Sequence, residues 1–150
     1  MSNLSTPDLT QYPPRSDRVR LGGYVIIARM LDKGRAMLAG TEGDYHYDCP
    51  VDKRFLEFAG VDATAVKEQL ATGAGDGDVL NWINANSTTK PSPVEIEAWS
   101  NHQEQRSPGD LDSREFFSGL HKGAGPDRED INTWFDLLDL DDFVSFGGKA

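Results

Sequence analysis

From Leu21 the apolar positions recur with helical spacing. Leu21, Ala28 and Arg35 lie seven apart, as do Tyr24, Leu31 and Leu38, and Ile27, Met30, Gly34 and Met37 complete a broad arc. Tyr24-Val25-Ile26-Ile27 has strand propensity, but the unbroken pattern to Ala39 and a stop at Gly40 predict a helix. Pro50 suits the first turn of a second helix through Phe55, Phe58 and Ala59, closed by Gly60. Asp62 reads as the cap of a third, with Val61 and Val66 forming a hydrophobic staple, ending near Thr72-Gly73. Asp76 reads as the cap of the next, with Val79, Trp82 and Ile83 facing inward. Ser92-Pro93-Val94-Glu95 is the strongest start signal, because serine caps, proline suits the first position and glutamate closes a capping box. Ile96 and Trp99 anchor that helix, and the segment Gln105 to Asp110 breaks it. Phe116, Phe117 and Leu120 predict a further helix, broken at "HKGAGPD". Asp127 then reads as the cap of a last one, with Ile131, Trp134, Phe135 and Leu138 on one face and Phe143, Val144 and Phe146 continuing the packing.

Residues 1–14 read as a flexible lead, since Pro7, Pro13 and Pro14 oppose helix, and residues 147–150 as a tail. "NSTTKPSP" is a polar turn between helices and not a domain linker. Neither hairpin chemistry, a βαβ alternation nor a solenoid repeat is visible. The expected architecture is all-α: a compact single-domain bundle of about six helices over residues 15–146.

Composition narrows the function classes. A chain of 150 residues can bury a core without staples, and fourteen aromatics among 37% hydrophobic residues argue against disorder. One cysteine cannot form an internal bridge, which fits a reducing cytoplasm. No leader pattern precedes Pro14, and the longest apolar stretch, Tyr24 to Ala28, is too short for a bilayer. The net charge of −10 disfavours nucleic acid and anionic membranes as partners. Residues 91–150 hold thirteen acidic against five basic side chains. Residues 15–35 reverse this, with Arg15, Arg18, Arg20, Arg29, Lys33 and Arg35 against Asp17 and Asp32. The basic segment needs a counter-charge, from the chain's own C-terminal half or from an acidic ligand.

The run from Arg15 to Asp62, with its Leu-Gly-Gly start and Ala-Arg-Met-Leu-Asp-Lys helix, followed by "GDGDVLNWI" and "PDREDINTWFDLLDLDD", resembles the bacterial family called domain of unknown function 5069. The likeness extends from about Arg15 to Asp142. It implies a small soluble bacterial protein of a single domain and transfers no catalytic or binding residue.

Candidate chemistry begins at "YHYDCP". Cys49 stands before a predicted helix start and three residues from His46, the two ingredients of a lowered thiol pKa. Against a reactive site, the pair lacks any nucleophile-family spacing, and Asp48 or Asp52 would oppose thiolate formation. A packed helix start, with Cys49 as a small hydrophobe, is the favoured reading. His46, Asp48, Cys49 and Asp52 match no zinc pattern, and His102 and His121 are isolated. "GAGDGDV" lacks the strand and lysine of a phosphate loop and the glycine of a calcium loop. The acidic run Asp136, Asp139, Asp141 and Asp142 reads as a solvated face. No metal or cofactor is expected.

Arg35 is the most informative residue, because it falls on the apolar arc, where an unpaired guanidinium is costly. Asp32 is three residues from Arg29 and from Arg35 and reaches either. The favoured reading is structural: Arg35 meets Asp130 or Asp136 of the last helix and locks the bundle. In the alternative, Arg18, Arg29, Lys33 and Arg35 form an anion pocket for phosphate or carboxylate, with His46 or Cys49 at its mouth. Two function classes stay open. One is a noncatalytic module that binds a protein partner or a second copy of itself, with Trp82, Trp99 and Trp134 as anchors. The other is a binder of, or enzyme acting on, a small anionic ligand. The first is preferred.

Overall fold

The computed structural model describes residues 6–150. Among them are seven helices: α1 (Ile27–Ala39), α2 (Pro50–Ala59), α3 (Ala63–Ala71), α4 (Asp76–Asn86), α5 (Pro93–Gln105), α6 (Leu111–Ala124) and α7 (Trp134–Ser145). No strand occurs among the described residues, so the all-α expectation holds with one helix more than the approximate count. Contacts divide the chain into two compact units, Met1–Ser100 and Asn101–Ala150.

The first unit is built around α1, whose residues Ile27 to Ala36 are all buried. An amphipathic helix with one wet face was expected; the charged side is covered too. Gly34 permits this crowding, since a Cβ there would lie 2.6 Å from Leu70 and 3.0 Å from Tyr47. Met37 and Leu38 depart from the expected apolar arc and are exposed in the last turn, before the left-handed Gly40. An aromatic group forms the other half of this core. Trp99 stacks on Phe58 at 4.7 Å and meets Tyr24 and Phe55 edge-on.

Helix α1 starts at Ile27, not at Leu21. Gly22 and Gly23 both take positive φ, and Leu21 and Tyr24 exchange two backbone hydrogen bonds of 3.0 Å. This is the Gly-Gly turn chemistry of a hairpin, unrecognised because no strand flanks it. Ile26 then adopts φ 76° and ψ −43° while the Ile27 N–H donates to the Val25 carbonyl. That is a γ-turn, costly for a β-branched residue. Three bonds hold it: Ile26 N–H to the Asp17 carbonyl, Val25 N–H to Ser100 Oγ, and Ser100 Oγ to the Gly23 carbonyl. Strand-like propensity in Tyr24 to Ile27 was therefore informative, although helical periodicity outweighed it.

Of the expected flexible lead, residues 1–5 lie outside the described residues, and the remainder is packed. Leu9 is buried and its N–H donates to the Thr41 carbonyl at 2.8 Å, with Thr41 Oγ1 donating to Pro7. Prolines there exclude helix without excluding order.

Several caps form as expected. Asp62 accepts from Ala65 N–H, and Ser92 and Glu95 close a reciprocal capping box. Two expectations fail. Asp76 is the first residue of α4, with Gly75 at the cap position, and Asp127 caps nothing. Helix α7 begins seven residues later, where Thr133 and Asp136 form the capping box. In the second unit Phe117, Ile131, Leu137 and Leu140 make a small core against which Ala124, Trp134 and Val144 pack. The expected tail is docked as well: Gly148 N–H donates to the Phe143 carbonyl, and its missing Cβ leaves room for the Phe143 ring.

Candidate functional site: the charges around α1

Helix α1 carries Arg29, Asp32, Lys33 and Arg35 into the interior of the first unit, each less than a tenth exposed. Burial at this depth demands partners. They come from residues 15–76. Arg15 Nε and Nη2 grip the two oxygens of Asp32 at 3.0 Å each, and the Arg15 backbone N–H adds a third bond at 2.9 Å. Arg15 Nη1 also reaches Asp76 at 2.8 Å, and Arg35 Nη1 takes the other oxygen of Asp76 at 2.8 Å. Arg35 Nη2 donates to the Ala74 carbonyl. Arg29 lies 3.9 Å from Asp17, donates to the Arg15 carbonyl and places its guanidinium over the Tyr45 ring. Lys33 Nζ sits 2.9 Å from Asp52, which is fully buried, and 3.2 Å from Cys49 Sγ.

Arg35 is thus neutralised by Asp76 in the first turn of α4, and not by Asp130 or Asp136 of the last helix as expected. Asp130 is held by Arg128 in an exposed bidentate pair, and Asp136 is used by the backbone N–H groups of Asn132 and Thr133. Acidic excess in the C-terminal half identified no particular pair. Asp32 pairs with Arg15 and not with Arg29 or Arg35, because a fork arriving from the preceding segment can meet both carboxylate oxygens. Asp17, Asp52 and Asp76 were the partners missed. They carry no periodic signal; only the rule that α1's charges need counter-charges pointed toward them.

These contacts set the protonation chemistry. The hydrogen bond from Arg15, opposed by burial and assisted by Arg35, holds the Asp76 carboxyl below its ordinary value. Burial works against the charge of Arg15, but hydrogen bonds to Asp76 and Asp32 outweigh it and raise its pKa. Burial, helped by Asp52 and Asp48, pushes the Tyr47 hydroxyl up, so it stays protonated and donates to the Ala63 carbonyl at 2.7 Å.

At the start of α2 the two members of the candidate reactive pair differ in burial. His46 is exposed, whereas half-buried Cys49 occupies the cap position of α2 beside Lys33. Asp52 accepts from the Asp48 and Cys49 N–H groups, so it closes the helix start and neutralises Lys33 together. Cys49 thus stands in the helix start as a half-buried neighbour of the Lys33 ammonium, where the sequence reading had a small hydrophobe.

A cavity of about 590 Å³ opens beside the cluster, lined by Tyr12, Pro13, Arg15, Asp32, Arg35 and Asp76 among others. Of the four expected anion ligands, only Arg35 lines it; Arg18, Arg29 and Lys33 do not, nor do His46 and Cys49. Among the described residues, no three His, Cys, Asp or Glu side chains are grouped to hold a metal ion. No helix among them is long and apolar enough to cross a membrane.

Fold and cluster together define an all-helical protein in which one helix is buried with its charges matched by neighbouring segments. The chain belongs to the family described as domain of unknown function (DUF5069), which matches residues 11–144. A search of curated proteins finds no match.

Proposed function

We propose that this protein is a noncatalytic association module acting through the Asn101–Ala150 unit. The observation that carries this reading is the exposure of Phe116 (63%) and Leu120 (47%) on α6, although the unit already has a closed core. One turn apart, the two side chains share a face, and the Phe116 ring lies 6.5 Å from the half-buried Trp134. Exposed aromatic and aliphatic side chains grouped on one helix face are the usual anchors of an interface. The tryptophan nominated as an anchor at position 99 serves the core instead, stacked on Phe58.

The basic residues of α1 favour the same conclusion. The arginine forks facing the cavity already hold Asp32 and Asp76, with Arg35 Nε the donor left without a hydrogen-bond partner among the described residues. A cytoplasmic setting accords with the single cysteine, which stays a free thiol. The test is a photoreactive side chain placed at position 116 or 120, with position 64 as an exposed control, in cells making the full chain. Adducts of one discrete mass are expected from 116 and 120 and none from 64. Absence of any discrete adduct from the α6 positions refutes the module.

A further inference from the structure

A second cavity, of about 680 Å³, lies in the first unit, walled by the turn over residues 21–24, the end of α4 and the start of α5. It shares no lining residue with the cavity beside the α1 charges. Tyr24 forms part of its wall although the residue is only 1% exposed. The Tyr24 ring is held edge-on by Phe55, Phe58 and Trp99, and its backbone N–H and carbonyl are both used by Leu21. Its hydroxyl has no hydrogen-bond partner among the described residues, and it is what Tyr24 presents to the cavity. Burial alone pushes the pKa of this group up, so it stays a protonated donor. Native proteins seldom leave so deeply buried a hydroxyl unmatched, because the hydrogen bonds it gives up to water are not replaced.

The groups around that hydroxyl carry both signs of charge. Pro93, Ile96 and Glu97 share one face of α5 by their spacing and line the cavity together. Lys90 lines it too, at φ 45°, and its N–H donates to the buried Ser87 Oγ, which fixes the backbone there. Neither Lys90 nor Glu97 has a charged partner among the described residues, each other included. Asn84 and Ala85 bring in the last turn of α4, whose carbonyls are the negative end of that helix. The N–H groups of Gly22 and Gly23 have no acceptor among the described residues. A carboxylate thus finds donors in Tyr24, Lys90 and the glycine turn, while an ammonium finds acceptors in Glu97 and the α4 carbonyls. Ile96 and Pro93 offer apolar surface to whatever joins the two charges. We infer that this cavity binds a free amino acid with an aromatic or branched apolar side chain, its carboxylate taken by the Tyr24 hydroxyl and Lys90 and its ammonium by Glu97. A purely anionic ligand would be repelled by Glu97 and a purely cationic one by Lys90; a zwitterion matches both.

This goes beyond the association reading, uses the other unit of the chain, and stands or falls apart from it. The test is calorimetric titration of the full chain with L-phenylalanine and L-leucine, beside phenylpropanoate and phenethylamine, which each lack one of the two charges. At least one of the amino acids is expected to saturate a single site per chain, and both analogues to bind about tenfold more weakly or worse. Tyr24→Phe removes only the hydroxyl. It leaves thermal unfolding unchanged or higher, since no bond within the chain is lost, and weakens amino-acid binding about tenfold or more. Glu97→Gln, at an exposed position, weakens amino-acid binding while leaving phenylpropanoate bound no less tightly than before. Failure of both amino acids to bind overturns the inference and leaves the hydroxyl to water alone. So does equal affinity for phenylpropanoate, or a Tyr24→Phe chain that binds as well as the wild type. A Tyr24→Phe chain that unfolds earlier overturns it too, by revealing a partner for the hydroxyl within the chain.

Discussion

The pair of Lys33 and Asp52 allows the sharpest test of how α1 is held. Lys33 is 5% and Asp52 0% exposed, with 2.9 Å between Nζ and the carboxylate. Asp52→Asn keeps an oxygen for the Asp48 and Cys49 N–H groups, so the start of α2 stays capped while the negative charge is lost. Removing one partner of a buried pair costs about 3–5 kcal/mol, because the other charge is left in a medium that cannot solvate it. A typical domain has about 5–15 kcal/mol in total, so the variant should lose a large share of its stability. With a denaturant slope of about 1–3 kcal/mol per molar urea, the midpoint should fall by about 1 M or more. Trp82 and Trp99 report on the first unit if the experiment is run in a Trp134→Phe background. Lys33→Met combined with Asp52→Asn should recover most of the loss, since neither charge is then buried. The argument fails if Asp52→Asn costs under about 1 kcal/mol, or if the double variant is no more stable than the single one.

Three further outcomes follow from individual contacts. Asp76 has a depressed folded pKa, so its contribution to stability is complete above the ordinary carboxylate value of 3.8 and disappears as pH falls through the lower folded one. Stability in an acid titration should therefore drop below that value, and Asp76→Asn should be less stable near neutrality with a shallower dependence in that window. Thr133→Ala should cost about 1 kcal/mol in urea unfolding followed at Trp134, and Asp127→Ala under about 0.5 kcal/mol, because α7 is capped at Thr133. Gly60 has φ 67°, and a Cβ there would lie 2.6 Å from Thr88 Oγ1 and 2.8 Å from the Thr89 nitrogen. Gly60→Ala should then cost about 1–3 kcal/mol in the same assay, and a neutral result would contradict the left-handed turn that closes α2.

What the sequence disclosed follows the range of the forces involved. Helix ends set by local chemistry were legible: the Asp62 cap, the Ser92–Glu95 box and the Gly40 and Gly60 stops all depend on residues within a turn of one another. The boundary at Ile27 was not, because the γ-turn at Ile26 is held by Asp17 and Ser100, distant in the chain. The buried arginine was legible for a different reason: periodicity gave Arg35 an inward position, and desolvation then demanded a carboxylate. Which carboxylate was not, since charge balance over sixty residues constrains a sum while pairing needs a distance. Two acidic residues first read as local features, Asp76 as a cap and Asp52 as an obstacle to thiolate formation, turn out to neutralise Arg35 and Lys33 while standing in the first turns of α4 and α2. The helix N-terminus stabilises each carboxylate and the cation returns the favour, so the two roles reinforce one another. For the same reason a phosphate taking the place of these aspartates would have to exceed an intramolecular carboxylate already oriented by its helix, while Arg35 Nε is left without a hydrogen-bond partner among the described residues. The association proposed for the exposed apolar face of α6 would meet no such competitor.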